Sequence, residues 1–82
     1  MKFELFREVA LTCDLPEYQL KAGDVATLVD FVPHPSGGEE GCVLEVFNAI
    51  GESIAVIIAP ISAVEALSAN EVLTVRSLAL AS

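Results

Sequence analysis

Three runs between Val25 and Ala59 alternate their apolar side chains with the period of a strand rather than that of a helix. The first, Val25 to Val32, sets Val25, Thr27, Val29 and Phe31 on one face and Ala26, Leu28 and Val32 with Asp30 on the other. The second, Cys42 to Phe47, and the third, Ser53 to Ala59, are rich in the β-branched and aromatic residues that suit a pleated surface. In the third run, Ile54, Val56 and Ile58 share one side. Asn48-Ala49-Ile50-Gly51-Glu52 joins the last two, with Asn and Gly where a tight hairpin turn needs positive φ. These three strands and their hairpin constrain the fold more than any other feature.

The remaining segments extend the same plan. Glu8 to Cys13 reads as a strand ended by Asp14-Leu15-Pro16-Glu17. Glu71 to Leu78 reads as a further strand, although Ser68-Ala69-Asn70-Glu71 also fits a capping box that would open a helix. Pro60 closes the third run, and a short 3-10 turn is expected near residues 61–64. Residues 33–41, Pro33 to Gly41, are too rich in Pro and Gly for regular structure and form one long loop. In Lys21-Ala22-Gly23-Asp24-Val25, Gly23 supplies the φ that other residues resist, and Asp24 can bond back onto the turn backbone. With 82 residues the chain makes one domain, residues 1–82. The expected fold is all-β, a small SH3-like barrel of five to six strands, since closure removes exposed edges.

Charge narrows the function classes. The chain has 12 acids and 4 bases, for a net charge of -8. No Lys or Arg lies between Lys21 and Arg76, whereas Asp24, Asp30, Glu39, Glu40, Glu45, Glu52, Glu65 and Glu71 all do. Nucleic-acid affinity comes largely from basic groups that displace counterions, and adsorption to anionic membrane also relies on Lys and Arg. Both are therefore disfavoured, and a charge-steered partner would be basic. Acidity also keeps so apolar a chain soluble. The opening Met1 to Glu8 mixes charges where an export signal needs an apolar core, so a cytoplasmic protein is expected. Cys13 and Cys42 are then expected as reduced thiols.

Few groups could converge for catalysis. The single histidine, His34, stands between two prolines in the long loop, which offers little rigidity for a base paired with Cys13 or Cys42. The same three residues lack the close Cys-x-x-Cys spacing of structural zinc sites. Glu39-Glu40 has no calcium-loop pattern around it, and Gly37-Gly38 lacks the strand and helix of a phosphate cradle. No enzyme activity, metal or other cofactor is expected.

The ordered set Arg7 to Thr12, Asp14-Leu15-Pro16, Leu20 to Val29 and Leu44 to Phe47, continued by the Asn48–Glu52 hairpin and Ser53 to Val56, resembles a bacterial family known as domain of unknown function 4926. The resemblance spans roughly Phe6 to Leu67 and implies a small SH3-like barrel without an assigned activity. Its members are often encoded singly or beside small proteins suspected of being toxins, so the resemblance implies an antitoxin-like or other regulatory binding role. Gly23 to Val29 also resembles the KOW-type barrels of ribosomal and transcription proteins. Here Asp30-Phe31 replaces the usual glycine and the basic residues are missing.

The expected function is thus a non-enzymatic protein-interaction module, with a nucleic-acid-associated KOW-like barrel as the alternative. Candidate protein-binding residues are Glu39, Glu40, Glu45, Glu52, Phe31 and Phe47. Ser53 to Ala59 is apolar on both faces, which suits the middle of a barrel or an edge pairing with another chain. With Ala79-Leu80-Ala81 it leaves more apolar surface than a domain of this size readily buries, so a protein partner or homo-oligomer is expected.

Overall fold

The computed structural model describes residues 3–78, so Ala79-Leu80-Ala81 lies outside the described residues. Five strands form one antiparallel sheet: β1 (Glu8–Leu11), β2 (Val25–Val32), β3 (Gly41–Phe47), β4 (Ser53–Pro60) and β5 (Val64–Ala66). Their order across the sheet is β4-β3-β2-β1-β5. Two 3-10 turns, Pro16–Tyr18 and Ile61–Ala63, complete the regular structure. The all-β expectation, the three central strands and the turn after Pro60 therefore stand. Among the described residues the sheet is not closed into a barrel: β4 and β5 are its two edges.

Alternation decides which face is inside. Val9 lies opposite Ala26, Leu28 opposite Leu44, Leu44 opposite Ile57, Cys42 opposite Ala59 and Leu11 opposite Val64. All of these are buried, and with Leu20, Val46 and Ala63 they make one cluster on the inner side of the sheet. Burying each large aliphatic side chain of this kind contributes about 1.5–3 kcal/mol. The Cys42 thiol donates to the carbonyl of Ala59 at 3.4 Å. Burial, and then the negative charges of Glu39 and Glu40, push its pKa up.

The turn chemistry is as the residues suggested. Gly23 has φ +93°, and Asp24 Oδ2 accepts the Lys21 amide at 2.8 Å. In the β3–β4 hairpin Gly51 has φ +86°, while Asn48 Oδ1 accepts the amides of Ile50 and Glu52. An Asx side chain that mimics a backbone carbonyl in this way fixes the reversal and hence the register of both strands.

Four expectations are corrected. First, Glu71 to Leu78 is neither strand nor helix. The three residues of β5, of which only Val64 falls in the turn expected at residues 61–64, pair with the free side of β1, so that place is closed to the later segment. Its capping-box residues form an isolated turn, with Glu71 Oε1 accepting the Ser68 amide at 2.6 Å and the Glu71 amide returning to Ser68 O at 3.1 Å. Second, β1 ends at Leu11 rather than Cys13, because Thr12 turns its amide to Ala63 O and Cys13 is exposed. Third, Gly41 belongs to β3 rather than to the loop, paired with Pro60, the closing residue of β4. Fourth, Phe31 does not share a face with Val25 and Thr27. The ladder between β2 and β3 slips between Leu28 and Asp30, leaving Val29 as an extra residue. This β-bulge inverts the alternation, so Phe31 packs against the inner cluster and Asp30 stays exposed.

Candidate functional site

Once the inner side is filled, the outer side of the sheet holds the unpartnered side chains. Register builds it in rows: Glu8 lies opposite Thr27, Thr27 opposite Glu45, and Glu45 opposite Val56. Ala10 stands between Val25 and Glu65, and Val43 faces Ile58. At the β3–β4 end this side carries Phe47, Ile54, Val56 and Ile58, all exposed, with Val56 at 62% and Ile58 at 60%. Glu45 thereby borders the apolar stripe, with Glu8 and Glu65 farther across the same side of the sheet. Among the described residues the ion pairs are Arg7 with Glu4 and Arg76 with Asp24, so Glu8, Glu45 and Glu65 have no salt-bridge partner there.

Segment 71–78 completes the site. Its Leu73, Val75 and Leu78 line a shallow open groove together with Ala10, Val25 and Phe47 of the sheet. One clasp holds it: Arg76 Nε donates to Asp24 Oδ1 at 2.9 Å, and Nη2 donates to Asp24 Oδ2 and to Gln19 O, the latter at 3.1 Å. The Gln19 carbonyl belongs to a residue at φ +59°, in the left-handed region. The Arg76 guanidinium holds the Asp24 carboxyl below its usual range, with the Lys21 amide adding to the effect and partial burial opposing it. A fork of this kind fits a carboxylate with two parallel bonds.

The six candidate residues separate into two groups. Glu45 and Phe47 lie on β3, Glu45 on the outer side and Phe47 at the strand's exposed end. Glu39, Glu40 and Glu52 sit at the loops with local duties. Glu39 Oε2 accepts the Ser62 amide at 2.7 Å, which lowers its pKa, and the Glu40 carbonyl accepts from Ile61. Glu52 Oε1 accepts from Asn48 Nδ2 at 2.8 Å. Phe31 is turned to the core and does not join the outer side. Glu8, Glu65 and the Ile54-Val56-Ile58 stripe were missing from the candidates. The stripe's period was readable, but nothing local says which side of an all-apolar strand faces water.

His34 stays in its loop, where Nδ1 accepts the Ser36 amide at 3.0 Å. Among the described residues no three His, Cys, Asp or Glu side chains gather as a metal site would need. No helix of the described residues is long and apolar enough to cross a membrane. A family model described as a domain of unknown function, DUF4926, matches residues 5–74. No curated protein and no solved structure matches the chain.

Proposed function

The chain belongs to the DUF4926 family, and from that premise we propose that it is a non-enzymatic protein-interaction module whose outer sheet side covers a basic protein partner, in an antitoxin-like or regulatory role. The observation that carries this reading is the pairing of an exposed apolar stripe, Phe47, Val56 and Ile58, with Glu8, Glu45 and Glu65 on the same side. Apolar contact supplies affinity, and unopposed carboxylates select a positively charged surface and steer its approach. The reading as a binding module rather than an enzyme is supported by a Cys42 thiol whose pKa burial pushes up, away from the reactive thiolate, and by a His34 engaged with its own loop. The strand order, with a 3-10 turn between β4 and β5, supports an SH3-like architecture with an open rather than closed sheet.

The test is affinity capture from the source cell with the wild-type chain and the Glu45→Lys and Phe47→Ser variants. A basic protein retained by wild type, released by salt and lost from both variants is the expected result. Retention of RNA or DNA with an affinity that falls steeply with salt would replace this reading with the KOW-like one. Protein capture that neither substitution changes would refute it.

A further inference from the structure

We propose that two copies of this chain associate edge to edge through β4, antiparallel about a two-fold axis perpendicular to the sheet, so that two five-stranded sheets become one continuous sheet. The proposal does not rest on the basic-partner reading, because it uses the edge of the sheet and not its outer side.

The two edges differ in kind. β5 offers three residues, including Glu65, and leads directly into the Ser68 turn. β4 offers eight residues, Ser53–Pro60, and no side chain among them is charged. Among the described residues its backbone donors and acceptors that point away from β3 meet no other strand. Natural proteins usually blunt such an edge with Lys, an interior Pro, a bulge or a covering loop. Here the proline is the last residue, and the ladder is irregular only where Ile54 falls between the Val46–Ala55 and Phe47–Ser53 pairs. From Ala55 to Ala59 the edge is regular and open.

Charge distribution selects the second copy as the occupant and the edge as the seam. Each chain carries -8, so two copies can meet only where carboxylates are kept apart. Stacking the outer sides would set Glu8, Glu45 and Glu65 of each chain against those of the other. Pairing β4 with β4 brings together a segment without charge, and with the axis near Ile57 the hairpin's Glu52 falls beyond the paired residues. A perpendicular two-fold keeps sides matched. Val56 and Ile58 of both copies then adjoin on the outer side, and Ala55, Ile57 and Ala59 adjoin on the inner side. Edge pairing of this length buries less than the roughly 1,200 Å² of a standard interface, so the dimer depends on concentration in the micromolar to millimolar range.

Light scattering after size exclusion, run over that range on the full chain, reads the mass, and amide hydrogen exchange at low and high concentration reads the seam. The expected result is a shift from 8.6 kDa toward twice that mass, with the β4 amides that face away from β3 becoming slow to exchange. Val56→Lys, at a position already exposed, should weaken association about tenfold or more while the circular dichroism spectrum is kept. Glu45→Lys, which the basic-partner reading requires to be damaging, should leave dimerisation intact. A chain that stays monomeric at millimolar concentration overturns the proposal. So does a dimer that survives Val56→Lys with unprotected β4 amides, or one that Glu45→Lys strengthens, as stacked outer sides would require.

Discussion

Ile57 and Ile58 are adjacent, chemically identical and on opposite sides of β4, so truncating each to alanine asks the structure which side is inside. Ile57 is 3% exposed and packs opposite Leu44, whereas Ile58 is 60% exposed and lies opposite Val43. Each substitution removes roughly three carbons, at about 0.8 kcal/mol per fully buried carbon. For Ile57 that transfer loss is about 2.4 kcal/mol, and the cavity left between Leu44 and the core raises the total to about 3–4 kcal/mol. For Ile58 the loss scales with the smaller buried fraction and comes to about 1 kcal/mol. The lowered β-propensity of alanine is common to both and cancels in the comparison. The predicted gap is therefore at least about 2 kcal/mol, or about 8–16 °C in Tm for a domain of this size. Against a total stability of about 4–12 kcal/mol, Ile57→Ala stands near the limit of folding. Urea denaturation of both variants, at a concentration too low for β4 to pair, measures the gap directly. Equal losses, or a larger loss for Ile58→Ala, would refute the assignment of the inner side and with it the outer stripe on which the basic-partner reading depends.

The remaining predictions are briefer. Iodoacetamide should modify the exposed Cys13 in the native state and leave the buried Cys42 untouched until urea unfolds the chain, a pattern read by mass spectrometry. Asp24→Asn should release segment 71–78, seen as faster tryptic cleavage after Arg76 at neutral pH, since the guanidinium is no longer held by a carboxylate. Because Arg76 lowers the Asp24 pKa, its contribution is fully present above the ordinary value of 3.8 and is lost as pH falls through the lower folded value, so the wild-type segment should loosen only in strong acid. Gly51→Ala should cost about 1–2 kcal/mol in thermal denaturation, because φ is +86° there while a Cβ would meet nothing within 4 Å, making the cost conformational rather than steric.

Much of this fold is written locally. Asn48 and Gly51 specify the hairpin with their own side chain and φ, and Gly23 and Asp24 do the same for the turn before β2. Non-local facts were harder to read. Val64-Glu65-Ala66 becomes a strand because β1 lies beside it, and Val72-Leu73-Thr74-Val75, with stronger intrinsic preference, does not because that place is taken. The face of Phe31 depends on where the β2–β3 ladder slips, which is a property of two strands and not of one. The candidate site was legible in the same measure. Glu45 and Phe47 could be named from charge and exposure, while Glu8 and Glu65 join them only through pairings across the sheet.

The bulge in β2 also bears on which insertions and deletions this chain tolerates. Leu28 and Phe31 both point inward although three positions separate them, because Val29 occupies no rung of the ladder. Deleting Val29 would leave every other residue of β2 on its present side, with Asp30 still in water. Deleting Thr27, only two positions away, would turn Leu28 outward and break the row that joins it to Leu44. One strand thus contains a position where chain length is free to vary beside positions where it is not, and across relatives of this chain a gap in β2 should fall at Val29.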